Sequence, residues 1–150
     1  MCDYVTPFGS LWLHMAHGGI IALSSTPPSV ASDDHWRTRV GAWLTAYFQG
    51  EFLPVEDFPF APDGTLFQRR VWSALQEIPP GEVETYGHLA RRLQTSPRAV
   101  GQAVARNPIP ILIPCHRVVA ARTLGGYSAF GGLDAKRFLL ALEGFSSENY

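Results

Sequence analysis

Lysine is nearly missing from this chain: Lys136 is the one lysine among twelve cationic side chains, and the others are arginine. Cysteine is scarce as well, with only Cys2 and Cys115. Two thiols do not make a disulfide framework, and in a reducing compartment they are expected to stay reduced. No Cys-x-x-Cys or His-x-x-x-His spacing exists, so a zinc site is not expected. No apolar run approaches the roughly 20 residues of a membrane span. The start, MCDYVTPFGS, has neither the basic opening nor the apolar core of a signal peptide. These absences point to a soluble intracellular protein with no membrane partner and no metal.

What is present suffices for a core. Of 150 residues, 46% are hydrophobic and 17% charged, which allows one ordinary domain or two small ones. The net charge of −1 hides an asymmetry. Residues 1–64 carry two Arg against seven Asp/Glu, a balance of −5, whereas residues 65–150 carry ten cations against six acids, a balance of +4. A modest excess usually means only a solvated surface. Arginine, however, is the cation preferred for forked contacts with phosphate and bases.

The acidic part reads as α/β. Leu11, Leu13 and Met15 alternate as in a strand, His17-Gly18-Gly19 can turn, and IIAL (20–23) follows as the hairpin partner. A helix is predicted from about Asp34 to Phe48, with Trp36, Val40, Trp43, Leu44 and Tyr47 on one face. FLPVEDFPFAPDG (52–64) holds three prolines before its closing Asp-Gly and marks a boundary, giving domains 1–63 and 64–150.

The second part is helical and clearly punctuated. Thr65 and Gln68 form a capping box, and Phe67, Val71, Leu75 and Ile78 mark a helix face that Pro79-Pro80-Gly81 ends. Thr85 caps a short helix. Ser96 and Pro97 then open another, RAVGQAVAR (98–106), which stops at Asn107-Pro108. Two short helices across a polar turn have the shape of a helix-turn-helix. Val100 and Val104 face inward, leaving Arg98, Gly101, Gln102 and Ala105 outside. That face is too small for a sequence reader of the major groove, but it can press against a backbone or a shallow groove. Packing against a neighbouring helix would use the same residues.

IPILIPCHRVV (109–119) sets a thiol, an imidazole and a guanidinium into an apolar, proline-rich run. A thiolate is the reactive form of cysteine, and a nearby imidazole oriented by a carboxylate can generate it. An extended path would turn Cys115 and His116 to opposite faces, so a bridging water is plausible. Glu143 in the last helix is the candidate orienting acid, while an inert buried cysteine is the commoner outcome. GGYSAFGG (125–132) lacks the Gly-Lys-Ser/Thr ending of a phosphate loop and reads as a pocket loop or a plain turn.

Taken in order, GTLFQRRVWSALQEIPPGEVETYGHLA, RAVGQAVARNPIPILIPCHRVV and GGYSAFGGLDAKRFLLALEG closely resemble the O6-alkylguanine-DNA alkyltransferases. These are also called methylated-DNA–protein-cysteine methyltransferases. The likeness covers nearly all of 64–144, and is looser in the Thr-Pro-Phe-Gly-x-Leu start. It implies an RNase H-like α/β N-terminal domain and a mostly helical, winged-helix-like C-terminal domain that binds DNA and holds the alkyl acceptor. By the resemblance, Cys115 accepts the alkyl group and His116 with Glu143 activates it through a water. Asn107 ties the recognition helix to the active-site loop, and Tyr86 assists rotation of the nucleotide. Arg98 fills the gap in the stack. Tyr86, Gly87, Arg98, Ala99, Gly101 and Gln102 would contact DNA in the minor groove. Pro110, Val118, Gly126, Tyr127 and Ser128 would line the base pocket, with main-chain groups at Cys115 and Val118 reading the guanine edge. Lys136 matches a family lysine without an assigned role.

The resemblance further implies repair of O6-alkylguanine in duplex DNA by a monomer, without cofactor, in the cytoplasm or at the nucleoid of a prokaryote. O4-alkylthymine is a further candidate substrate. Ala129-Phe130 lengthens the pocket loop relative to several members and bears on pocket size. Three other readings use the same residues: a damage-binding module without turnover, a helix-turn-helix regulator, and a Cys-His hydrolase. The presence of Cys115 argues against the first, the small recognition face against the second, and the lack of an oxyanion-hole motif against the third.

Overall fold

His17 and Gly18 both adopt positive φ, 55° and 76°, in the computed structural model of this chain, whose described residues are 2–146. Two consecutive residues in that region make the tight turn whose twist matches a hairpin. They join β2 (Gly9–Ala16) to β3 (Gly19–Ser24), paired antiparallel with Ala16 opposite Gly19. A strand not anticipated from the sequence, β1 (Tyr4–Thr6), adds to the other edge of β2, giving the order β1-β2-β3. At three residues it is too short to show a periodicity. Leu11 and Leu13 are buried, as strand alternation requires, and Ile20 and Leu23, three apart on β3, are both buried where the β2–β3 register is irregular between His14 and Met15. The helix α1 (Asp34–Phe48) starts at Asp33, whose carboxylate accepts from the His35 and Trp36 N–H groups. Val40, Trp43, Leu44 and Tyr47 are its buried residues. These elements belong to a compact unit, Met1–Asp63, and the second unit is Gly64–Tyr150.

The second unit begins with α2 (Leu66–Leu75), opened by the complete Thr65–Gln68 capping box. The helix stops at Leu75, so Ile78 lies beyond it although it is buried. After the Pro79-Pro80-Gly81 turn come β4 (Glu84–Thr85), α3 (Tyr86–Leu93) and α4 (Pro97–Ala105). Thr85 accepts from the His88 N–H, and Ser96 accepts from the Ala99 N–H, so each helix has a side-chain cap. Gln94, at φ 57°, ends α3 in the left-handed conformation and makes the turn between the two helices tight. The Trp72 indole donates to Ala103 O at 2.8 Å, fastening α4 to α2.

Beyond α4 the chain runs through buried Ile109, Ile111, Leu112 and Ile113 into a 3-10 turn, Cys115–Arg117, and then β5 (Val118–Val119). The extended path expected at Cys115 is therefore corrected to a 3-10 turn: the Arg117 N–H donates to Pro114 O, and the Cys115 N–H to Ile113 O. Strands β4 and β5 pair in parallel, Glu84 with Val118 and Thr85 with Val119. This short pairing sets the residue before Tyr86 beside the residues that follow Cys-His-Arg. The last helix, α5 (Leu133–Leu142), buries Ala135, Lys136, Leu139 and Leu140. Among the described residues no helix is long and apolar enough to cross a membrane.

Candidate active site

Cys115 is only 5% exposed, and its surroundings come from three directions. The Asn107 and Tyr127 side chains and the charge of Lys136 all favour its thiolate form. Burial pushes the thiol pKa up, and these neighbours, together with its own backbone, pull against that rise. At rest the group is therefore a protonated thiol. Asn107 is spent on the backbone as well: Nδ2 donates to Ile113 O at 2.8 Å, and Oδ1 accepts from the Ile109 N–H at 3.0 Å. One amide thus closes the loop between the end of α4 and the acceptor turn.

His116 is fully buried. Its Nε2 lies 2.7 Å from Glu143 Oε2, and a carboxylate only accepts, so Nε2 carries the hydrogen. Nδ1 is then the lone-pair nitrogen of the neutral ring, buried and without a hydrogen-bond partner among the described residues. Burial lowers the His116 pKa and outweighs the hydrogen bond and charge of Glu143, with Arg117 and Lys136 lowering it further. The ring is neutral at physiological pH. Glu143 caps the end of α5 rather than lying inside it, and its carboxylate is gripped from a second side. Arg117 Nε donates to Oε1 at 2.8 Å and Nη2 to Oε2 at 2.9 Å, while Nη1 reaches Ile78 O at 2.6 Å. Burial pushes this carboxyl up, but the hydrogen bonds and charges of His116 and Arg117 win and hold it at about 2. The Pro-Pro-Gly turn permits this closure. Gly81 adopts φ +86°, and a Cβ there would come within 3.0 Å of Glu143 O.

Lys136 is buried with its ammonium bonded to three main-chain carbonyls: Val118 O at 2.7 Å, Gly126 O at 3.0 Å, and Leu124 O. Burial lowers its pKa to about 8, against the opposite pull of Cys115. It clamps β5 to the glycine loop, next to Tyr86, whose ring centre is 5.9 Å from Nζ. Gly125 fits against that ring at φ +75°, where a Cβ would meet Tyr86 Cε2 at 2.9 Å. Burial raises the Tyr86 pKa, and proximity to Cys115 adds to the rise.

A groove of about 690 Å³ opens over Tyr86 and Gly87 at the start of α3, Pro97, Arg98 and Gly101 on α4, and Gly126. Arg91, Thr85, Ala120 and Ala121 complete its wall. Cys115 is not among the lining residues and lies close to Tyr86. On α4, Arg98 and Gln102 are exposed, Ala99 and Gly101 half-buried, and Val100 and Val104 buried. Pro110 and Val118 are buried, and Tyr127 is half-buried. Ser128 is exposed and donates to Ala105 O at 2.8 Å, so its hydroxyl ties the glycine loop to the end of α4.

The sequence reading brought Cys115, His116, Glu143, Asn107, Tyr86 and Tyr127 into view. It left Arg117 and Lys136 without a partner or a role. A signal for each was present. A guanidinium inside an aliphatic run implies a buried acid. Lys136 falls on the apolar stripe of α5 with Leu139 and Leu140, where a solvated lysine would not sit.

Residues 66–145 match the family model described as 6-O-methylguanine DNA methyltransferase, DNA binding domain. The methylated-DNA–protein-cysteine methyltransferase of Haemophilus influenzae is 53% identical over 151 residues, covering 93% of this chain and 83% of that one. The enzyme of that name from Archaeoglobus fulgidus is 42% identical over 144 residues, covering 91% and 95%. Among solved structures, that of Mycobacterium tuberculosis OGT in complex with DNA superposes with a TM-score of 0.77 at 38% identity, covering 92% of this chain and 88% of that one. A buried thiol with its imidazole and carboxylate beside a helix-turn-helix groove thus coincides with matches along nearly the whole chain, and the chain belongs to the methylated-DNA–protein-cysteine methyltransferase family.

Proposed function

We propose that this protein repairs DNA by direct reversal, moving a methyl or larger alkyl group from guanine O6 in duplex DNA to the sulfur of Cys115. The observation that carries the reading is the His116–Glu143 pair beside the buried thiol, with Nδ1 of the ring left as a base. His116 takes the thiol proton through one water, and Glu143 steadies the imidazolium that forms. The thiolate attacks the alkyl carbon in line, the sulfur–carbon bond forms as the carbon–oxygen bond breaks, and the electron pair leaves with guanine, which recovers a proton. The product is a thioether that water does not cleave, so each chain acts once.

A stacked O6 is out of reach of a buried sulfur, so the base must leave the duplex. In this reading Tyr86 and Gly87 at the start of α3, with Arg98, Ala99, Gly101 and Gln102 on α4, meet the minor groove, and Arg98 occupies the place of the rotated nucleotide. Pro110, Val118, Gly126, Tyr127 and Ser128 line the base pocket. The low exposure of Cys115 suits a pocket completed by DNA binding, with the groove over Tyr86 as its entrance. The unit architectures fit an RNase H-like N-terminal fold and a winged-helix-like C-terminal fold, and the activity belongs in the cytoplasm or nucleoid, where the DNA is.

Comparing the wild type with Cys115→Ala on a duplex holding one O6-methylguanine tests this. The wild type is expected to remove one lesion per chain, and the variant to bind the duplex equally well and remove none. Equal repair by both would defeat the proposal, and binding with no repair by the wild type would favour a damage-recognition module.

A further inference from the structure

Arg117 spends every guanidinium nitrogen inside the protein. Nε and Nη2 fork the two Glu143 oxygens at 2.8 and 2.9 Å, and Nη1 closes on Ile78 O at 2.6 Å. Glu143 Oε2 is shared with His116 Nε2. We propose that Arg117 is a positioning residue for alkyl transfer: by gripping both carboxylate oxygens, it fixes the orientation of Glu143 and, through it, of the His116 ring. The inference rests on the reading of His116 as the base for Cys115.

The argument is geometric first. A carboxylate bonded only to an imidazole can rotate about its last torsion and swing the ring with it. A planar fork on both oxygens removes that freedom, and the Ile78 carbonyl fixes the fork in turn. Because Nε2–H points at Oε2, the fork also settles which nitrogen of His116 is left as base. Electrostatics act in the same place. The charged groups acting on the imidazole are Arg117 from the Cys115–Arg117 turn, Lys136 from α5 and Glu143 at the end of that helix. Glu143 alone would draw a proton onto His116 and spoil the base. Arg117 offsets that pull, as Lys136 does more remotely, and burial disfavours the charged ring. Lysine could supply the charge but not the two-pronged contact.

The test is the pH dependence of single-turnover methyl transfer for the full chain, with the nitrogen NMR signals of His116 followed alongside. The wild type is expected to show a neutral ring hydrogenated at Nε2 and a rate that falls only toward acid pH. Arg117→Gln removes the charge, so His116 should stay protonated to higher pH. The acid limb is expected to move up by about one unit, so the loss approaches about tenfold below the wild-type midpoint, shrinks above it, and is recovered in alkaline buffer. Arg117→Lys should leave the limb in place, lower the plateau rate about tenfold, and mix the two tautomers. If Arg117→Gln does not fold, the Arg117→Lys result decides. A plateau rate and tautomer equal to wild type in Arg117→Lys, or an unmoved acid limb in folded Arg117→Gln, would overturn the proposal. Full transfer by His116→Gln would instead overturn the base assignment itself.

Discussion

In the proposed reaction Cys115 is the nucleophile, and the fold stores it in its unreactive form. Burial favours the thiol, and Asn107, Tyr127 and Lys136 bring the thiolate within reach without making it the resting state. A storage arrangement suits a protein that is consumed by one reaction, because a permanently ionised sulfur would meet other electrophiles first. The same residues make stability depend on acid. Glu143 titrates at about 2 when folded against 4.5 ordinarily, so between these values the unfolded chain binds more protons than the native one. Stability therefore rises with pH across that window, and is lost as pH falls through it. Denaturant midpoints at pH 5 and pH 3 should show the loss in the wild type, and Glu143→Gln should flatten the slope. The same substitution is expected to slow single-turnover transfer about a hundredfold. Asn107→Ala would leave the Ile109 N–H without its acceptor and take from the Ile113 carbonyl one of its two donors, and is expected to cost about 1–3 kcal/mol, measured by chemical unfolding.

At the scale of elements, α4, the helix proposed to meet DNA, has few long side chains on its exposed face. Its exposed face offers space around Tyr86: a Cβ at Gly101 would lie 3.9 Å from the tyrosine ring, in ordinary contact. Gly101→Leu is accordingly expected to fold with unchanged or higher melting temperature, since leucine is the better helix former. It should still weaken binding to duplex DNA at least tenfold by filling the groove, as a fluorescence titration would record. Ser96→Ala removes the cap of the same helix and is expected to cost about 1 kcal/mol. Elements with local signals were legible in the sequence. The Thr65–Gln68 box, the Thr85 and Ser96 caps, Pro97 and the alternation around Leu11 each act within a few residues, and their helices and strands stand where they point. The 3-10 turn at Cys115–Arg117 was not legible, because Ile-Pro-Ile-Leu-Ile-Pro reads as extended chain. Nor was the β4–β5 pairing, two residues long and joining segments over thirty positions apart. The Arg117–Glu143 fork spans 26 residues and depends on how α5 returns to the acceptor turn, which no local pattern encodes.

Across the whole molecule the charge is divided, −5 in residues 1–64 and +4 in residues 65–150. The basic part contains α3, α4 and Cys115. Phosphate contacts release counterions, so affinity for duplex DNA is expected to fall linearly in log–log form as salt rises, with a slope of about −0.9 per phosphate engaged. Arg98→Ala should weaken binding across all sequences alike, with little change in preference among them. The central claim concerns the fate of one alkyl group on one sulfur. Its most direct test is intact-mass and peptide-level mass spectrometry of the full chain after reaction with excess O6-methylguanine duplex. One added methyl per chain, on the peptide holding Cys115 and stable to prolonged incubation, is the expected result. A methyl on any other residue, no methyl at all, or more lesions repaired than chains supplied would contradict it.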